Sequence, residues 1–187
     1  MPQLTLTAGG NDISSYVFHH GGIRIMHGKQ EAVGQNSPSS MTVDLINTDD
    51  RFRPGNNTGP YGTAPFKPFT VVTLVARWNS VNYTIFSGFI EKTESTADAY
   101  GFRTARITCF DNFAKLNLQN LISATLIQQT QGGQITQICT ICNVSPTSIA
   151  TGNAIPAGVG TGSALAMCQQ IAGSTGCIMG RDHTATT

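Results

Sequence analysis

Apolar and polar residues alternate in short runs along the first 110 positions. Met41, Val43 and Leu45 are interleaved with Thr42 and Asp44, and Ala105, Ile107 and Cys109 with Arg106 and Thr108. A period of two turns one set toward a core and the other toward water, which is the signature of half-buried strands. Similar runs rich in Val, Ile, Thr and Phe occupy residues 4–7, 13–18, 23–26, 41–46, 71–76, 83–90 and 102–110, each bounded by Gly, Asn, Pro or Ser. Seven short strands between turn residues predict an antiparallel sandwich or barrel.

Beyond Phe110 the period lengthens. Asp111 is placed to cap a short helix over 111–121, with Phe113, Leu116 and Leu121 facing the sheet. Ile135, Ile138, Cys139 and Cys142 form one apolar stripe at helical spacing, and Ala164, Met167, Cys168 and Ile171 form another. The glycine-rich stretch 157–163 between them reads as a flexible loop, with Ser163 capping the second helix. The expected fold is thus mainly β with a few short helices. Residues 1–121 make a β domain, and 122–187 a small helix-containing segment, thin for a core of its own and readable as the start of a further domain of a longer protein.

One connection is too long to be a simple turn. Residues 47–68 hold four prolines and three glycines, too many breakers for a helix or strand. Structured connections of this length are usually functional or interfacial. Phe52, Tyr61 and Phe66 give it apolar anchors, so a packed loop is expected. Asp49 and Asp50 are adjacent and cannot flank a substrate as a glycosidase pair does. They read as turn formers, with Arg51 or Arg53 tying the loop to the barrel or to a neighbour.

Composition sharpens the picture. Only 11% of the 187 residues are charged, against roughly 25% in ordinary globular chains. Asn, Gln, Ser and Thr fill 60 positions, and after Lys115 the ionised residues are Arg181 and Asp182 alone. With a net charge of +1 there is no electrostatic footprint for nucleic acid. No apolar run is long enough to span a membrane, and the start lacks the regions of a signal peptide. A chain so poor in charge is expected to work packed against other subunits, its last 72 residues above all.

The loop Asn47-Thr48-Asp49-Asp50-Arg51-Phe52-Arg53-Pro54-Gly55-Asn56, followed by Gly59-Pro60-Tyr61, resembles the N-x-D-x-R-F-x-P-x-N loop of phage minor tail proteins of the baseplate-hub or tail-tip type. Four further segments are similar to that family in the same order. They are Asp12 to Val17, Phe86-Ser87-Gly88-Phe89-Ile90-Glu91, Phe110 to Leu116, and Ala164 to Ala172 with Gly176, Arg181 and Asp182. The chain departs from the family at His183-Thr184, where a glycine usually stands, and it stops where hub proteins commonly continue into a second barrel. The resemblance implies a tail-tube-like β-barrel assembled as a ring, a trimer in the favoured reading and a hexamer in the alternative. It implies a distal tail or tail-tube protein and a central spike or fibre as partners, a place in the virion at the distal tail, and assembly in the host cytoplasm. Asp49, Arg51, Phe52, Arg53, Pro54, Tyr61 and Phe66 would then form a clamp within the barrel or between subunits.

Chemistry has few candidates. Cys139 and Cys142, with Cys168 and Cys177, would make four thiolate ligands for zinc or an iron–sulfur cluster, yet the first two share a stripe with Ile135 and Ile138, where cysteine acts as a small hydrophobe. A thioredoxin-like role would need a helix that begins at the motif, whereas Gly132-Gly133 place it inside one. His19 and His20 are adjacent, so on a strand they point to opposite faces; His27 and His183 read as surface residues. The stretch 157–163 lacks the Gly-Lys-Ser/Thr ending of a phosphate loop. No triad motif, metal or cofactor site is expected, and the chain reads as structural and non-catalytic. A tail-borne cell-wall hydrolase and a cysteine-based metal module are the rivals from other classes.

Overall fold

The strand-forming stretches pair into one antiparallel sheet, and the two helical stripes lie elsewhere. A computed structural model of the chain describes residues 3–19, 22–28, 37–53, 56, 66–97, 101–146, 149–174 and 185–186. The first strands are β1 (Gln3–Ala8), β2 (Asn11–Asp12), β3 (Ile23–Met26), β4 (Ser40–Ile46), β5 (Val71–Trp78), β6 (Val81–Ala97) and β7 (Arg103–Asp111). They are followed by α1 (Asn112–Leu118), β8 (Asn120–Leu126), β9 (Gln129–Thr130), α2 (Gln131–Ile141), β10 (Ala154–Ile155), β11 (Gly158–Ser163), α3 (Ala164–Gly173) and β12 (Ala185–Thr186). The chain divides into two compact units, one drawn from residues 1–27, 39–111 and 183–187, the other from 28–38 and 112–182. No helix among the described residues is long and apolar enough to cross a membrane.

In the first unit the strand order is β2-β1-β5-β6-β7-β4-β3, with β12 beside β6. The fold is mainly β with three short α-helices among the described residues, as the patterning predicts, but no ladder among the described strands closes the sheet into a barrel. The register explains the core. Leu6 is opposite Leu74, and Leu74 opposite Phe86. Ile90 pairs with Cys109, Cys109 with Met41, and Met41 with Ile25; Ile107 pairs with Val43, and Val43 with Ile23. Because side chains alternate along each strand, these rows share one face, and all but the half-buried Ile23 and Ile25 are fully buried.

β6 pairs with β5 along its first half and with β7 along its second, and it bulges once in each ladder. Ile85 falls between the Phe86–Leu74 and Thr84–Val75 pairs, and Glu91 between Ile90–Cys109 and Lys92–Thr108. Each extra residue interrupts the alternation, shifts which residues face the core beyond it, and strengthens the local twist. Asn79 and Ser80, both at positive φ, form the two-residue turn from β5 into β6, the backbone geometry that suits a hairpin.

One local expectation fails here. Residues 13–18 hold a 3-10 turn at Ser14–Tyr16 instead of a strand. Asp12 explains it, because its carboxylate accepts the Ser14 N–H at 2.9 Å and the Ser14 hydroxyl at 2.5 Å, and Ser14 Oγ in turn accepts the Leu6 N–H at 2.8 Å. A short side chain that bonds the backbone two residues on diverts the chain into a turn. Asp111 ends β7 and directly precedes α1, as expected of a residue at the start of that helix, and its carboxylate accepts the Ser39 N–H at 2.8 Å.

The second unit has a core of its own, where the sequence looked thin. Leu116, Leu121, Leu126, Ile138, Cys139, Leu165, Cys168 and Ile171 are among its buried residues. α1, grouped by its sequence with the strands, belongs to this unit and stops at Leu118; Leu121 lies in β8. The glycine-rich stretch is strand β11, paired with β8, and not a flexible loop. Ser163 does occupy the N-cap of α3 without a side-chain cap bond; its hydroxyl lies 3.4 Å from Asn117 Oδ1.

A Cβ at Gly88 would lie 2.1 Å from the Phe110 carbonyl oxygen, whereas one at Gly173, the last residue of α3, would meet nothing. Gly88→Ala is therefore expected to lower unfolding stability by about 2 kcal/mol through forced separation of β6 and β7, and Gly173→Ala to change it by no more than about 1 kcal/mol. Urea unfolding of the two variants checks this.

Candidate functional site

The 47–68 connection is where the described residues concentrate polar contacts over a buried aromatic cluster. It begins at Asn47, which is buried at the end of β4. The Asn47 N–H donates to the Arg103 carbonyl at 2.9 Å, and its side-chain oxygen accepts the Phe52 N–H at 2.9 Å. Asp50 takes a left-handed φ of 61°, which turns the chain back, and its N–H donates to the Asn47 carbonyl at 3.1 Å. Aspartate tolerates that conformation better than most residues. Arg53 N–H donates to the Asp50 carbonyl at 3.2 Å, and Asn56 Nδ2 to the same oxygen at 2.9 Å.

These turns drive Phe52 into the core. Its ring stands edge-on to Phe66, with centroids 4.8 Å apart, and edge-on to Tyr16 at 5.3 Å. Both phenylalanines are fully buried, and edge-to-face pairs of this kind add to the gain from burial alone. Arg51 covers the cluster. Its guanidinium carbon lies 4.3 Å above the Tyr16 ring, Nη1 donates to the Tyr16 hydroxyl, and Nε donates to both Asp49 carboxylate oxygens at 2.7 and 2.8 Å. The Arg51 hydrogen bonds hold the Asp49 carboxyl below its ordinary pKa. Asp50 faces two guanidinium groups, Arg53 at 3.3 Å and Arg103 at 3.5 Å.

Five of the seven expected loop residues thus sit in one cluster: Asp49, Arg51, Phe52, Arg53 and Phe66. Pro54 and Tyr61 lie outside the described residues. Arg51 ties the loop to Tyr16, and Arg53 stays in the loop with Asp50. Asn47, the first residue of the loop motif, orients Phe52, and Tyr16, to which sequence reasoning gave no part in the loop, orients Arg51. The available signal for Asn47 was position, an amide side chain at a strand end just before a turn-rich stretch.

The other candidates are dispersed. Cys139, Cys142 and Cys168 are buried together in the second unit's apolar core; Cys177 lies outside the described residues. No group of three or more metal-ligating side chains assembles among the described residues. A hydrogen bond with Cys139 and burial keep the Cys168 thiol protonated, and burial raises Cys142. His19 and His27 are exposed, His19 in a turn and not on a strand; His20 and His183 lie outside the described residues. Glu94 pairs with Lys92 at 3.2 Å on the exposed face of β6, and Asp44 with Arg106 at 2.7 Å across β4 and β7.

No protein-family model matches the chain, and no curated protein does either. Among solved structures it is similar to the crystal structure of the tail protein from Neisseria meningitidis MC58, with a TM-score of 0.56, 9% identity, and coverage of 94% of this chain and 46% of that one. At that identity the likeness is one of fold, and the chain spans about half the length of that neighbour.

Asn47→Ala leaves the buried Phe52 N–H without its acceptor and is expected to cost about 1–3 kcal/mol in chemical denaturation. Asp49, with its folded-state pKa held below the ordinary 3.8, contributes stability that is complete above that value and is lost as pH falls through the depressed one. Asp49→Asn is therefore expected to flatten the loss of stability below about pH 4 and to leave the slope above about pH 5 unchanged, as read from acid titrations of the unfolding midpoint.

Proposed function

We propose that this chain is a structural, non-catalytic component of a bacteriophage tail, at the distal end of the tube as a baseplate-hub or tail-tip protein. The observation that carries the reading is the shared fold with a protein described as a tail protein, extending over 94% of this chain. The ordered resemblance of the 47–61 loop and four other segments to minor tail proteins supports it independently. The described carboxylates are largely engaged in holding structure: Asp12 with Ser14, Asp44 with Arg106, Asp49 with Arg51, Asp50 with Arg53 and Arg103, and Asp111 with Ser39.

The surface suits assembly. On the core-side face of the sheet, the row Leu6–Leu74–Phe86 is followed by Leu4–Ala76–Tyr83, and Trp78 lies two residues further along β5. Leu4, Trp78 and Tyr83 are exposed there. In the second unit Leu118, Ile122 and Val159 are 73%, 89% and 63% exposed. Apolar rows of this kind are covered when a chain works beside others. The reading is a ring of this chain, three copies in a hub, joined to a distal tail or tail-tube protein on one side and a central spike or fibre on the other.

Immunogold labelling of purified particles is expected to mark the distal tail, and native mass spectrometry of the assembled ring to give three copies. Six copies would favour a tube or distal adaptor ring. A chain missing from particles, or one that clears host peptidoglycan in a zymogram by itself, would overturn the proposal.

A further inference from the structure

The turn that leads into β5 carries an unusual residue for its backbone. The Thr70 N–H donates to the Lys67 carbonyl at 3.1 Å, and Phe69 holds a left-handed φ of 69°. With proline in the second place and a positive φ in the third, this is the turn form that takes glycine or asparagine in that third place. A bulky side chain there strains the backbone. In return the ring gains only part of the shelter of a core phenylalanine. It stacks on Phe89, with centroids 5.4 Å apart and planes 24° from parallel, yet Phe69 stays 64% exposed.

Phe69 stands at one end of a row that crosses the sheet on the face opposite the core. Val71 pairs with Phe89, Phe89 with Phe110, Phe110 with Ser40, and Ser40 with Met26. Val72, Ile90 and Cys109, each one residue away on the same strands, face the core, so the row faces away from it. Phe89 is buried, but the row runs out exposed on both flanks, Val71 at 60% and Met26 at 67%. On one flank β3 is the outermost described strand, and on the other β1 stops at Ala8, opposite Val72. The row spans β5, β6, β7, β4 and β3, so at about 4.8 Å per strand its ends lie roughly 19 Å apart and cannot touch within one chain. In a head-to-tail neighbour they can. We infer that Phe69 and Val71 of one copy pack against Met26 of a second copy of this chain, so that the row continues from subunit to subunit. The inference rests on the ring reading above and names a contact that closes the ring. One heterologous contact, repeated, is what closes a ring. A thioether against an aromatic ring is a favourable pair, and the edge strand β3 brings an open backbone edge for a neighbour to cover. Both halves of the contact are carried by this chain.

The test uses the full-length chain with the photoreactive residue benzoylphenylalanine in place of Phe69, mixed in equal parts from light and heavy nitrogen-labelled protein. Irradiation is expected to join position 69 to the tryptic peptide 25–29, which holds Met26, in products that combine light and heavy peptides. Phe69→Asn keeps a residue suited to the turn and removes the ring. It is expected to weaken self-association about tenfold or more, as loss of an aromatic anchor does, while the urea midpoint of the dissociated chain stays level or rises. A midpoint that falls with association unchanged would make the ring an internal support and overturn the inference. So would a three-copy ring in which position 69 joins only its own copy, other peptides or nothing, a result that leaves the ring reading standing. Assembled tails in which it joins a different tail protein would have the same force. A chain that stays monomeric at every concentration would sink both. The cross-link map decides the matter even where the asparagine variant does not fold.

Discussion

A sheet that is apolar on one face needs something laid over that face, and in the first unit two phenylalanines from a proline-rich connection serve that purpose. Phe52 and Phe66 meet edge-on within the core that Leu6, Leu74, Phe86, Ile90 and Ile107 line. Burying a side chain of this size contributes about 2–3 kcal/mol, and without it the rows beneath would face water. Everything around Phe52 follows from that need. Asn47 fixes where its backbone enters, Asp50 turns the chain so that it can, and Arg51 spans the outer side from Asp49 to Tyr16. The loop is thus a structural part of the sheet, and its charged residues satisfy one another there.

The second unit solves a different problem with neutral groups. Gln131 Nε2 donates to the Ile171 carbonyl at 3.1 Å and to Ser174 Oγ at 3.0 Å, and its oxygen accepts the Asn153 N–H at 3.2 Å. Gln134 Nε2 reaches the carbonyls of Ile127 and Pro156, at 3.0 and 2.8 Å, and Gln137 Nε2 that of Thr125 at 2.9 Å. Three glutamines, spaced three apart on α2, thereby fasten that helix to α3, to β8 and to the residues around β10. A hydrogen-bonded amide is far less costly to bury than a charge. This accounts for the composition: where residues 116–187 hold only two ionised side chains, amides carry the polar work inside. Gly132 belongs to the same arrangement, because a Cβ there would lie 2.2 Å from the Ala150 carbonyl oxygen.

Much of the sheet was legible. The run 23–26 is β3, 41–46 falls within β4, and 102–110 overlaps β7, because alternation is written into neighbouring residues. The strands that escaped notice lack that signal. β11 is built largely of glycine, with few side chains to alternate, and β8 is broken by Ser123 at a φ of 52°. The turn at Ser14–Tyr16 looked like a strand because Ile13, Tyr16, Val17 and Phe18 have strand-forming character, and the Asp12 carboxylate overrode it. Of the loop cluster, Asp49, Arg51, Phe52, Arg53 and Phe66 were readable as a group. That Tyr16 lies under Arg51 was not.

By itself the sequence determined the alternating faces, the helical stripes, the breaker-rich connection and the scarcity of charge, all of which depend on residues close together along the chain. Tertiary structure decided the strand order and the two bulges of β6, the partners of the α2 glutamines, and the burial of Cys139 and Cys168 in one core. Each of these joins positions that are distant in sequence. Local periodicity states which side of an element is buried, but the partner opposite is chosen by the packing of the whole unit.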